Sequence, residues 1–260
     1  MSTEATFDDV VEALARPGCP ICRLAARRAQ RFLDAYCYEH VNDDDLRALI
    51  RSSRGFCRRH ATDFLNQLDT LAAAITYRDL LATLIDELAR LGQPRRGAAR
   101  ALRGIVRRGV TWTNLTDPAE CPVCVAERVA EGRSLDVLAE GLAHPRLAAA
   151  LSKGDPLCLG HLRALIARRA PTPELLARQA AGWGRLRDHL LEIARKADYR
   201  FAEERLTPAE RTAVHAAVNA IAGLSGLPPD DAALQIRKLR RGGSSAVRAC
   251  LEARTDPAEL

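Results

Sequence analysis

Eight residues of this chain are spaced to hold metal ions. Cys19-Pro20-Ile21-Cys22 recurs as Cys121-Pro122-Val123-Cys124, and Cys57-Arg58-Arg59-His60 recurs as Cys158-Leu159-Gly160-His161. A Cys-Pro-x-Cys turn sets two thiolates a knuckle apart, with backbone N–H groups of the turn free to point at the sulfurs. A Cys-x-x-His at a helix start puts a thiolate and an imidazole on one face, one turn apart. Three sulfurs and one nitrogen form a closed tetrahedral set suited to Zn²⁺. Soft thiolates exclude Mg²⁺ and Ca²⁺.

A single Cys-x-x-Cys would say little. Here 34 residues separate Cys22 from Cys57, and 33 separate Cys124 from Cys158. Leu46, Ala48 and Ile50 precede Cys57 at the offsets at which Leu147, Ala149 and Leu151 precede Cys158. The chain is an internal duplication. The local reading gives one site of Cys19, Cys22, Cys57 and His60, and a second of Cys121, Cys124, Cys158 and His161. Pairing across the halves, Cys19 and Cys22 with Cys158 and His161, satisfies the same chemistry; the shorter loop favours the local sets.

Four protein ligands leave no open coordination position, which argues for a structural ion and against catalysis at it. Three thiolates, a neutral imidazole and Zn²⁺ sum to −1. Arg23, Arg58 and Arg59 flank the first local set, and Arg128 and Arg163 the second. The better-compensated first set is expected to release its ion last. The same donors could hold an iron–sulfur cluster or cycle as dithiols. No thioredoxin-like βαβ pattern accompanies them, which counts against thiol exchange.

Other chemistry-bearing residues read as structural. Cys37 lies between Tyr36 and Tyr38 and has no counterpart in the second half, which fits a packed thiol; Cys250 sits in the tail. His40 and His144 follow their Cys pairs at similar distances and fit surface or cap roles. Asp188, His189 and Glu192 share a helix face that reads as solvated, and Trp183, between two glycines, as a packing contact. Arg90–Arg108 holds seven arginines and no acid, a stretch able to contact phosphates. No phosphate-binding Gly-x-x-x-x-Gly-Lys loop, dinucleotide fingerprint or Gly-x-Ser-x-Gly elbow appears.

The elements that must position these groups are helices. The 260 residues are 47% hydrophobic and 28% charged, which excludes wholesale disorder, and Ala, Leu and Arg dominate. Net charge is +6, yet only Lys153, Lys196 and Lys238 among 39 basic residues are lysine. That bias reflects coding composition as much as a polyanionic partner. The spacing predicts helices over 7–15, from within Cys19–Cys22 to about Glu39, over 43–52, from Cys57 onward, and over Leu71–Leu91. It predicts others from Thr172 to about Glu204 and, behind the capping pattern Thr207-Pro208-Ala209-Glu210, to about Gly223. Shorter helices are expected around 231–240 and 245–253. The Leu71–Leu91 segment carries Arg78, Asp79, Asp86 and Glu87, so no membrane span is expected. The polar, acidic first residues lack a secretory pattern, and a cytoplasmic location is expected.

At these motifs the chain resembles a family of uncharacterised bacterial proteins, a domain of unknown function. Its members look like two Cys-Pro-x-Cys … Gly-Phe-Cys-x-x-His halves followed by an Asp-Tyr-Arg signature. Here those are Cys19–Cys22, Gly55–His60, Cys121–Cys124, Leu157–His161 and Asp198-Tyr199-Arg200. The likeness spans roughly 8–226. The second half departs from it, with Asp155-Pro156-Leu157 where the first has Arg54-Gly55-Phe56. The resemblance implies no activity. It draws attention to Asp198, Tyr199 and Arg200 as a cap or a docking element.

The expected protein is all-α. It has a first zinc-binding half over 1–94, an Arg-rich connection over 95–117, a second half over 118–206 and a helical tail over 207–260. Its expected role is non-enzymatic: a zinc-stabilised scaffold or adaptor binding a partner macromolecule, protein first. The alternatives are a nucleic-acid-binding regulator using Arg90–Arg108 and an iron–sulfur or thiol redox sensor. Oligomeric state is not legible.

Overall fold

In the computed structural model, residues 3–92, 118–201 and 203–223 are described. All regular structure among them is helical. The helices are α1 (Thr3–Leu14), α2 (Pro20–Ala35), α3 (Asp44–Ser52), α4 (Arg58–Leu65), α5 (Thr70–Gly92), α6 (Pro122–Glu140), α7 (Pro145–Lys153), α8 (Leu159–Arg168), α9 (Pro173–Lys196) and α10 (Pro208–Ala222). A π-helical turn over Tyr36–His40 extends α2, and 3₁₀ turns follow α6 and α9. The all-α expectation holds.

Most helix starts follow the local code. Asp43 caps α3 by accepting from Leu46 N–H. Thr172 caps α9 ahead of Pro173. Thr207 and Glu210 form a full capping box ahead of Pro208, satisfying two otherwise orphaned N–H groups. Two expectations shift. The helix expected over 7–15 begins at Thr3 and ends at Leu14. The helix expected to run to Glu204 ends at Lys196, and a 3₁₀ turn (Tyr199–Phe201) takes over. The segments 95–117 and 231–253, with the arginine run beyond α5, Trp112 and Cys250, lie outside the described residues.

The chain forms two compact units. Among the described residues, one comprises those up to Ala26 together with those from Arg133 onward; the other comprises those of 27–132. These divisions do not follow the sequence repeat. The first unit packs Val10, Ala13 and Leu14 of α1 with Ile21, Leu138, Leu147, Leu157, Leu165 and Leu175. The second packs Leu33, Tyr36, Ile50, Phe56, Phe64, Leu80 and Val123. Its aromatic rings meet at centroid separations of 5.1–6.2 Å, a range in which tilted and edge-on pairs attract. Tyr36 and Thr76 share a buried 2.7 Å hydrogen bond.

Candidate metal centre

All four ligand pairs sit at helix starts. α2 begins at Pro20, directly after Cys19, and α6 at Pro122, directly after Cys121. Arg23 N–H donates to Cys19 O (3.2 Å), and Val125 N–H to Cys121 O (3.1 Å). Proline suits the first helical position because its missing N–H would go unused there. Cys57 and Cys158 are the N-caps of α4 and α8, with near-identical extended backbones (φ −62, ψ 163 and φ −68, ψ 159). His60 and His161 follow one turn on. Each sulfur and imidazole therefore lies at the positive end of a helix, where anions are favoured.

The two halves reach these helix starts by different routes. Before Cys57, Arg54 and Gly55 both take positive φ (58 and 92); Gly55 N–H bonds Ile50 O (2.8 Å) and Ser53 Oγ donates to Gly55 O (2.9 Å). Before Cys158, Asp155 accepts from Gly18 N–H (2.7 Å). The buried Gln179 side chain accepts from Leu157 N–H (3.0 Å) and donates to Leu157 O (2.7 Å). Phe56 and Leu157 fill equivalent buried places.

The eight candidate ligands come together in two groups of four, but not in the local sets. Cys19, Cys22, Cys158 and His161 form one group, and Cys57, His60, Cys121 and Cys124 the other; within each, the donor atoms all lie within 4.8 Å of one another. Each group takes the Cys pair of one half and the Cys-x-x-His of the other, so the favoured local pairing is corrected to the crossed one. Each group lies within one compact unit. The expected order of ion release falls with the local sets: Arg58, Arg59 and Arg128 adjoin one actual group, Arg23 and Arg163 the other.

In the first unit, His161 Nδ1 lies 3.1, 3.3 and 3.5 Å from the sulfurs of Cys158, Cys22 and Cys19, and Cys22 Sγ lies 3.6 Å from Cys158 Sγ. In the second unit, His60 Nδ1 lies 3.3, 3.4 and 3.6 Å from the sulfurs of Cys57, Cys124 and Cys121, and Cys57 Sγ lies 3.6 Å from Cys124 Sγ. A tetrahedral Zn²⁺ with its usual bond lengths would hold sulfurs about 3.8 Å apart and sulfur and nitrogen about 3.6 Å apart. The donor separations fit such an ion.

The acidities show why a cation suits these groups. At Cys158, hydrogen bonds from Cys19 and Cys22 drive the pKa far below the ordinary thiol value. Its neighbour Cys22 is pushed far above it, chiefly by the same Cys158 contact. In the second unit desolvation opposes the Cys121 thiolate. Hydrogen bonds from His60 and from the backbone of Cys57, Cys124 and Val123 outweigh it, and the pKa falls to about 6. Cys124 is raised to about 12 by burial and its thiol neighbours. Without an ion, one thiolate in each group forbids the next; a divalent cation removes that conflict.

One further residue completes the second group. Glu127, buried on α6 three residues after Cys124, puts Oε2 3.3 Å from His60 Nε2. Its carboxylate also pairs with Arg59. The matching positions in the other group's helices carry Ala25 and Gly160. Sequence reading missed Glu127, although that exchange of a charged pair for a small pair was its signal. It also missed Gly223, the left-handed C-cap of α10 (φ 63). A Cβ there would stand 3.2 Å from Cys158 Sγ and 3.9 Å from Cys22 Sγ.

The remaining candidates are structural. Cys37 is partly buried against the second unit's core, and burial raises its pKa to about 11. His40 is exposed. His144 caps α7, accepting from Arg146 N–H, and meets the Phe7 ring edge-on at 4.7 Å. Asp188 pairs with Arg187, and Glu192 with Arg195. Trp183 packs on the first unit's core. Asp198 accepts from the Arg200 backbone and guanidinium (3.0 and 2.7 Å), which makes the Asp-Tyr-Arg signature a local cap, with Tyr199 86% exposed. No helix among the described residues is long and apolar enough to cross a membrane.

Known proteins add one family and no chemistry. The family described as "Family of unknown function (DUF6062)" matches residues 7–225. An "Uncharacterized 23.9 kDa protein in xynA 3'region" of Caldicellulosiruptor sp. (strain Rt8B.4) is 28% identical over 222 residues, which cover 82% of this chain and 99% of the relative. No solved structure matches.

Proposed function

We propose that this chain, which belongs to the DUF6062 family of unknown function, is a helical scaffold held by two structural Zn²⁺ ions, with a protein as its partner. The observation that carries the reading is the closed geometry of the two Cys₃His groups, whose donor separations suit a tetrahedral ion and whose four protein ligands leave it no open position. Structural ions of this type contribute folding energy directly.

Exposed apolar side chains at i, i+4 and i+7 favour a protein partner. Leu81, Ile85 and Leu88 line one face of α5, and Val214, Val218 and Ile221 line one face of α10. Apolar stripes of this kind mark docking faces when they are contiguous.

Elemental analysis with an absorption spectrum, on protein purified without oxygen, tests the ion. Two zinc per chain and no visible absorption are expected. Iron with absorption near 400 nm would replace zinc by a cluster and favour the redox reading. Absence of any metal would sink the scaffold reading. Salt-dependent binding to random DNA would overturn the protein partner in favour of nucleic acid.

A further inference from the structure

We infer that Glu127 is the positioning carboxylate of the second unit's centre, fixing the His60 tautomer that presents Nδ1 to the ion. The inference rests on the proposed ion binding and deepens it. His60 is wholly buried, with Nδ1 facing three sulfurs at 3.3–3.6 Å, and with Glu127 Oε2 at 3.3 Å and the Arg59 guanidinium at 2.7 Å from Nε2.

A neutral imidazole carries one N–H. If the ion takes the Nδ1 lone pair, the proton must sit on Nε2, and an ionised carboxylate can only accept. Of the two groups beside Nε2, Arg59 can only donate, so Glu127 is the acceptor open to that proton; it selects the ligating tautomer and holds the ring's orientation, the role of a carboxylate behind a metal-bound histidine.

Arg59 explains how a carboxylate is tolerated there. The ion with three thiolates and an imidazole carries −1, and a bare buried carboxylate beside it would add repulsion. The Arg59–Glu127 pair supplies an acceptor with no added net charge. Arg59 stands between Cys57 and His60 in one half of the duplication, and Glu127 follows Cys124 in the other. They meet because the ligand pairs cross between the halves. The first unit's centre has Ala25 and Gly160 at these positions, so it serves as an internal control within the same molecule.

The test uses the full chain loaded with two zinc and a colorimetric chelator that reads each ion's release. The second unit's ion is identified as the one lost in Cys57→Ser, and the first unit's as the one lost in Cys22→Ser. Glu127→Gln keeps the side-chain shape, and Glu127→Ala removes the acceptor. Both are expected to weaken retention of the second unit's ion by about 10- to 100-fold, the usual effect of losing such a partner, and to leave the other ion within about twofold. Nitrogen NMR of the loaded protein should show the His60 Nε2–H exchanging faster with solvent in Glu127→Ala. A wild-type chain without ions overturns both readings. A wild-type chain with two ions whose release is unchanged, or changed equally at both centres, in Glu127→Gln overturns this one alone.

Discussion

Cys22 Sγ lies 3.6 Å from Cys158 Sγ although 136 positions separate them, while Cys57, its neighbour under local pairing, lies 35 positions along the chain and belongs to the other unit. Cys22 stands in the first turn of α2, and Cys158 caps α8. An ion held between them would join the beginning of one repeat to the end of the other. Each unit contains two of each repeat's four candidate donors, and neither repeat's own four come together.

Paired serine substitutions separate crossed from local pairing. Cys22→Ser with Cys158→Ser should leave one zinc per chain, because both belong to one centre. Cys22→Ser with Cys57→Ser should leave none. Metal content measured after gel filtration decides, and the opposite pattern would restore the local sets.

The candidate donors were legible in sequence and their grouping was not. Duplicated spacing picked out the eight residues that the fold gathers into two groups of four, and the N-cap positions of Cys57 and Cys158 followed from the Cys-x-x-His reading. Loop length was the only argument available for pairing. A fourfold longer loop costs only about 1.2 kcal/mol more to close, against ~10–16 kcal/mol of apparent ion binding. Packing decided instead: Ile21 and Leu157 are buried in one core, Phe56 and Val123 in the other. The exchange of Arg59 and Glu127 for Gly160 and Ala25 was the one pairing signal in the letters, and it shows only when the two repeats are compared crosswise.

Ion removal should collapse tertiary order. A domain's whole stability is about 5–15 kcal/mol, no more than one such ion contributes. Stripping both ions with a chelator at neutral pH is expected to abolish cooperative melting followed by circular dichroism, and zinc added back should restore it. A stripped, metal-free chain with the original melting transition would contradict a structural role.

Gly223→Ala should loosen the first unit and its ion. The left-handed backbone costs a non-glycine residue about 1–2 kcal/mol, and the new Cβ would stand 3.2 Å from the Cys158 sulfur. Faster release of the ion lost in Cys22→Ser is expected, with the other unaffected. Unchanged release and an unchanged melting midpoint would remove Gly223 from the account.

The ion pair between Lys196 and Glu210 should make acid sensitivity measurable apart from the ions. Lys196 Nζ lies 2.9 and 2.8 Å from the two Glu210 oxygens; Glu210 is buried and Lys196 partly buried. Glu210 Oε2 also accepts from Thr207 N–H (2.8 Å) as half of the capping box. The Lys196 ammonium first, and the Thr207 N–H second, hold the Glu210 pKa below the ordinary glutamate value. A carboxyl lowered on folding stabilises the native state fully above its unfolded pKa of about 4.3, and that contribution fades as pH falls through the lower folded value. Glu210→Gln keeps an acceptor for the cap and removes the charge. It is expected to have a lower urea midpoint than wild type at pH 7, and the gap should narrow as pH falls toward about 4. Acid also protonates the cysteine thiolates and would release both ions, so the two proteins are compared over the pH range in which wild type still unfolds cooperatively. Equal midpoints at pH 7 would show that the Lys196–Glu210 contact contributes nothing to folding.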